Sequence, residues 1–214
     1  MNKYMLLIIP FFILANSFTS VNLSVVSSTL VNALLVTLML YWLLRRTNII
    51  CTRDWIIAIA FSIYLPILYS KTLAITLSYA PISYSAEELL VLLATAVNFV
   101  PFHGLLDVLR HNPSAYYVII DSALLFTPLT FAMRYLNWVS TVKRAVWYTF
   151  LIIVTIEIIQ LVYSLVVLLF GLGVMGHTDI DDVLIHTTGA LIGGFCFIAF
   201  QTMTAANKQN DLQN

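Results

Sequence analysis

Apolar residues in this chain come in unbroken runs about as long as a bilayer is thick, and the polar residues collect in short stretches between them. Met1 to Phe18 carries a lysine, an apolar core from Met5 to Leu14, and then Ala15-Asn16-Ser17. Pro10 interrupts the core and no small-x-small site follows, so the stretch reads as a short uncleaved span rather than a cleaved signal peptide. A second span runs from Val21 to Leu44, closed by Arg45-Arg46 and then Arg53. The third covers Trp55 to Tyr69, with a kink expected at Pro66 and helix able to run on from Lys71 to Tyr79. Tyr116 to Phe131 forms the fourth, with Asp121 near its start and Pro128 inside it. Ala145 to Phe170 is the fifth, broken by Gly171, Gly173 and Gly176, and Val183 to Phe200 the sixth.

Ala80 to Pro113 is less regular. It holds Pro81, Glu87-Glu88 and an apolar run from Leu89 to Val100 that is too short to cross, followed by Pro101-Phe102-His103-Gly104. This reads as a re-entrant or interfacial segment. The expected fold is all-α, a polytopic transmembrane helical bundle of about six spans with that one extra segment. It divides into N-terminal spans and an outer segment (1–97), a transmembrane core (98–203) and a polar cytoplasmic tail (204–214).

Composition supports the same solvent. Charged residues make up 9% and hydrophobic ones 61%, with a mean hydropathy of +0.95, against roughly 25% charged in soluble domains. The formal net charge is zero, so nothing attracts nucleic acid. Cys51 and Cys196 stand in different settings, so no disulfide is expected, and no zinc pattern occurs. Arg45-Arg46-x₆-Arg53 and the later Arg134, Lys143 and Arg144 fall on one side when the spans are counted, which makes that side cytoplasmic. Both termini then lie inside, and the loop with Asp179, Asp181 and Asp182 lies outside. This is the pattern of a multi-pass membrane protein.

The candidate chemistry lies in that acidic loop and beneath it. Glu157 is about 12 residues into its span, or about 18 Å along the helix, where a carboxylate needs a partner or must give up its charge. Gln160 and Ser164 share its helical face, as either an interhelical clamp or part of a binding or proton-transfer site. Asp179, Asp182 and His186 follow i, i+3, i+7 spacing and share a face, with Asp181 pointing elsewhere. Helix capping explains one or two of these acids, whereas a divalent cation held by Asp179, Asp182 and His186, with His177 or Glu157, would use more of them. Gly189, Gly193 and Gly194 give a small-residue face for close helix packing. GxSxG, HExxH and Walker loops are all missing, so no nucleophilic triad or nucleotide site is indicated, and no cofactor is expected.

Five short motifs occur in order: Asn98-x-x-Pro101-Phe102, Phe126-x-Pro128, Glu157-x-x-Gln160, Asp179-Ile180-Asp181-Asp182, and Thr187-x-Gly189-Ala190-x-x-Gly193. The ordered set resembles the VanZ-like membrane protein family over roughly Asn98 to Phe200. The chain departs from the family pattern at Ser122, where an Asn is common, and at Thr130, where a Gly is common. It also departs at His177, in place of an Arg, and at His186, in place of an Asn. Replacing a fixed cation by histidine gives the aspartates a pH-sensitive neighbour.

The resemblance implies an association with teicoplanin-type glycopeptide resistance in Gram-positive bacteria, without a defined reaction. Residues and resemblance together lead to an expected outward polar site drawn from Asn98, His103, Glu157, Gln160, His177, Asp179, Asp181, Asp182 and His186. Membrane lipids and a lipid-linked cell-wall precursor are the expected partners. A membrane enzyme acting on lipid headgroups and a small proton-coupled transporter using Glu157 stand as alternatives.

Overall fold

The computed structural model describes residues 2–14, 23–75, 85, 87–88, 91, 97–98, 100–102, 109–110, 116–170 and 178–213. A 3-10 turn at Lys3–Ile8 leads into α1 (Ile9–Leu14), followed by α2 (Leu23–Arg45), α3 (Thr52–Thr72) and the two-residue β1 (Val97–Asn98). Then come α4 (Tyr116–Leu124), α5 (Thr127–Tyr135), α6 (Val142–Leu169), the two-residue β2 (Thr178–Asp179) and α7 (Ile180–Gln213).

Five helical stretches among the described residues are long and apolar enough to cross a membrane, with α4 and α5 together forming one of them. The chain is an all-α polytopic bundle. The expected first span is the shorter apolar helix Lys3–Leu14, about 18 Å of helix against a hydrocarbon core of about 30 Å. It packs against α2 and α3, with Pro10 buried in the contact. One expected extension is corrected: the third span does not run on towards Tyr79, because the helix closes at Thr72 with the Leu73 N–H bonded to the Tyr69 carbonyl. The stretch expected as a polar tail is helical over residues 204–213 and continues α7.

Most of Ala80 to Pro113, expected to be re-entrant or interfacial, lies outside the described residues. Within it, the Ser85 N–H donates to Glu88 Oε2 at 2.8 Å and the Glu88 N–H donates back to Ser85 Oγ at 3.2 Å. This reciprocal pair is a capping box at the start of a helical stretch. The Ser85 backbone N–H holds the Glu88 carboxyl below its usual pKa, so the cap is intact above the ordinary Glu pKa and is lost as pH falls through the lowered one.

Hydroxyl groups inside the spans bond to carbonyls in their own helices: Ser28 to Ser24, Thr29 to Val25, Ser62 to Ala58, Thr72 to Leu68 and Thr187 to Val183. Polar side chains are thereby satisfied without a partner from another helix. The core between the helices is built from Val36, Leu40, Phe61, Leu65, Phe126, Leu129 and Ile153. On the lipid-facing side large apolar residues stand exposed, as with Leu34, Leu38 and Trp42 on α2 and Ile158, Ile159 and Val162 on α6. In water such a surface would aggregate, but in hydrocarbon it is the surface the solvent requires.

The glycine face of α7 sets how closely the bundle closes. A Cβ on Gly189 would sit 2.0 Å from the Ala123 carbonyl oxygen, and one on Gly193 would sit 2.4 Å from that of Thr127. Both obstacles are backbone, so no rotamer change relieves them. Gly194 differs, since its nearest neighbours are the Val142 and Val146 methyls at 3.0 and 3.1 Å. Gly189→Ala and Gly193→Ala are each expected to destabilise the fold by about 1–3 kcal/mol, the range of overpacked cores, and Gly194→Ala by much less. Thermal unfolding midpoints in detergent would check the ranking, and equal effects at all three positions would contradict it.

Candidate functional site

The site starts from a break in a helix. Pro128 has no N–H and stands at the start of α5, so the fourth span cannot run straight through Leu125 and Phe126. Carbonyls around the break need partners, and other helices supply them. Tyr64 of α3 donates its hydroxyl to the Leu125 carbonyl at 2.6 Å. His186 of α7 places Nδ1 2.9 Å from the Ser122 carbonyl. A carbonyl only accepts, so this nitrogen carries a proton. The ring also packs against Phe126, centroids 4.9 Å apart, and Thr127 Oγ1 donates to the Gly189 carbonyl at 3.0 Å.

One turn before His186, the start of α7 gathers the acidic motif. Asp179 Oδ1 accepts the Asp181 N–H at 2.9 Å, as a helix-capping carboxylate does. Asp181 is buried and accepts the Phe102 N–H at 2.5 Å. Alongside, β1 and β2 pair in parallel, with Val97 opposite Thr178 and Asn98 opposite Asp179. Asn98-x-x-Pro101-Phe102 and Asp179-Ile180-Asp181-Asp182, about 80 residues apart in sequence, thus form one unit held by backbone pairing and a carboxylate. Phe102 adopts φ 63, a left-handed conformation that is costly for a bulky side chain and persists where surrounding contacts enforce it.

Glu157 lies beside this unit. Gly194 touches Val142 and Val146 of the antiparallel α6. Asp182, twelve residues earlier on α7, therefore comes level with residues 154–158. Asp182 and Asp179 are near enough for their charges to act on the Glu157 carboxyl, and Asp182 is within electrostatic reach of His186, Asp179 and Asp181. Glu157 is only 7% exposed, and among the described residues its Oε2 has no hydrogen-bond partner. Such a group is rare and expensive in a native fold. Among the described residues no group of three or more His, Cys, Asp or Glu side chains is arranged to hold a metal ion.

The nine expected site residues therefore separate. Glu157, Asp179, Asp181, Asp182 and His186 come together, and the Asn98 backbone joins them through β1. Gln160 is committed elsewhere, donating Nε2 to the Thr72 carbonyl at 2.7 Å and so tying the end of α3 to α6. His103 and His177 lie outside the described residues.

Several contributors were not read from the sequence. Asn32, an amide side chain deep in the second apolar run, accepts from the Tyr69 hydroxyl at 2.9 Å and the Ile75 N–H at 3.0 Å. It also donates to the Ile75 carbonyl at 2.9 Å. An amide inside a span is itself a signal. Lys71 and Asp121, read separately as polar residues near span ends, form an exposed ion pair, a type that contributes little to stability.

Asp181→Ala would leave the Phe102 N–H without its acceptor and is expected to cost about 1–3 kcal/mol. Asp181→Asn retains an acceptor oxygen and should lose less than half as much. Thermal unfolding of both variants, with limited proteolysis near Phe102, measures the difference; equal losses would show that charge rather than the acceptor holds the unit together.

No curated protein and no solved structure matches the chain. The family model described as VanZ/LLP1 matches residues 61–201, from the middle of α3 through most of α7, and so includes the α4–α5 break, Glu157 and the Phe102–Asp181 unit. On that match over most of its length, and on a bundle whose family motifs meet in space, the chain belongs to the VanZ/LLP1 family of membrane proteins.

Proposed function

We propose that this VanZ-family protein sits in the bacterial cytoplasmic membrane with its arginine-rich end in the cytoplasm, and that the acidic site at the other end binds a lipid-linked component of the cell envelope. Binding would alter how available that component is to teicoplanin-type glycopeptides. The observation that carries this reading is the buried Glu157 carboxyl, whose Oε2 lacks a partner among the described residues while Asp182 and Asp179 lie nearby. A cluster of carboxylates repels phosphate and attracts donors. The part of the ligand it suits is an amine, amide or sugar hydroxyl of the headgroup, with the phosphate lying away from it.

The same unpaired oxygen suits a second role, that of a general acid or base acting on a lipid headgroup. Turnover by the purified protein, abolished by Glu157→Gln, would establish that role over binding alone.

Glu157→Gln and Asp182→Asn test the site without changing its shape. Each removes a charged acceptor, and ligand affinity is expected to fall on the order of tenfold or more, the equivalent of one charged hydrogen bond. In an expressing strain, teicoplanin susceptibility should return to that of cells lacking the protein. Wild-type susceptibility with normal accumulation of both variants would reject the site.

A further inference from the structure

The opposite end of the bundle carries a second built feature, independent of the acidic site. Arg134 at the end of α5 and Arg144 in the first turn of α6 flank a cavity of about 590 Å³, lined also by Asn137, Trp138, Ser140 and Tyr148. Ligand sites commonly occupy roughly 300–1,000 Å³.

Among the described residues neither guanidinium is paired with a carboxylate. Among the described residues the only ion pair is Lys71–Asp121. Arg134 Nη1 donates to Asn137 Oδ1 at 3.3 Å and to the Val139 carbonyl at 3.4 Å, and Arg144 Nη1 donates to Ser140 Oγ at 2.9 Å. These are neutral acceptors. They orient the two side chains and leave the charge, and most of the five N–H groups of each, uncompensated. Arg134 is further fixed by lying over the Phe197 ring, 4.9 Å from its centroid.

The helix dipole makes the arrangement more costly. Thr141 caps α6 through its side chain, the first turn holds Lys143 and Arg144, and no acidic residue occurs there. Two cations stand where the partial positive charge of the helix start disfavours them. An anion in the cavity would be favoured by both arginines and by the helix end.

The walls indicate what kind of anion. Trp138 is anchored by its Nε1–H to Thr47 Oγ1 at 2.8 Å, and Tyr148 and Trp147 are exposed beside it on α6. Aromatic side chains at the end of a span sit at headgroup depth. A ligand there presents a phosphate to the arginines and acyl chains to the apolar flank of α6.

We infer that the cavity between Arg134 and Arg144 is a binding site for the phosphate of an anionic phospholipid from the leaflet that meets the basic end. Guanidinium groups suit this task because their planar donor fork matches phosphate oxygens in pairs. The site is distinct from general positive-inside bias, which would not require two oriented guanidiniums around one cavity.

The test uses the full-length protein in neutral detergent, with native mass spectrometry reading bound lipid after addition of dioleoyl phosphatidylglycerol or dioleoyl phosphatidylcholine. The wild type is expected to retain phosphatidylglycerol in preference. In Arg134→Gln/Arg144→Gln, retention should fall about tenfold or more. Arg144→Gln alone changes an exposed side chain and should lose part of the preference with an unchanged thermal midpoint. Arg45→Gln/Arg46→Gln, which removes two charges from the same end, should keep the wild-type preference, and inorganic phosphate should not displace the lipid. No headgroup preference in the wild type, or the same loss in the Arg45/Arg46 variant, would overturn the inference. Displacement by inorganic phosphate alone would overturn the lipid as the ligand and make this a site for a free anion.

Discussion

A polar backbone group inside hydrocarbon must find its partner within the protein, and the break between α4 and α5 makes that requirement visible. Pro128 interrupts the helix, and the Tyr64 hydroxyl and the His186 ring come from α3 and α7 to take the Leu125 and Ser122 carbonyls. His186 can reach because Gly189 and Gly193 have no Cβ, which lets α7 lie against the Ala123 and Thr127 carbonyls. Helix break, glycine face and polar side chains are therefore one device. Adding a Cβ at those glycines would move His186 away from Ser122, leaving that carbonyl only its bond from the Leu125 N–H.

That device fixes the depth of the acidic end. With His186 held at the break, the first turn of α7 has to begin at the level of Glu157, and the three aspartates follow from it. Two of them bond to backbone N–H groups, Asp179 to Asp181 and Asp181 to Phe102. Glu157 is the exception, buried with one oxygen unpaired among the described residues. Thr37 Oγ1 is the other buried side-chain atom without a partner among the described residues, but an open carboxyl oxygen inside a span costs far more than an open hydroxyl.

The spans were legible because hydropathy is a property of each run by itself. Glu157 and the glycine face were legible for the same reason: a lone acid or a run of small residues stands out against an apolar background. Pairings were not. Gln160 shares a helical face with Glu157, which suggested a common site, yet its bond goes to the end of α3, a partner 88 residues away. His186, placed by spacing with Asp179 and Asp182, gives its Nδ1 proton to the Ser122 carbonyl, which lies just before the α4–α5 break and 64 residues earlier in the chain. Periodicity describes the face a residue occupies; which helix covers that face is decided by packing.

The two ends of the bundle treat charge in opposite ways. At the acidic end the carboxylates lie close together and two are held by backbone N–H groups, so their mutual repulsion is offset by fixed dipoles. At the basic end the cations lie over rings, Arg46 above Trp42 and Arg134 above Phe197, or against neutral oxygens. Asp54 does not neutralise them, because its oxygens accept from the Ile50 and Cys51 N–H groups and the Tyr135 hydroxyl. Charges of one sign therefore predominate at each end among the described residues, with Asp54 the exception at the basic end. With Lys71–Asp121 the one ion pair among the described residues, little of that charge is cancelled internally, and it remains available to act on whatever charged groups the two membrane surfaces present.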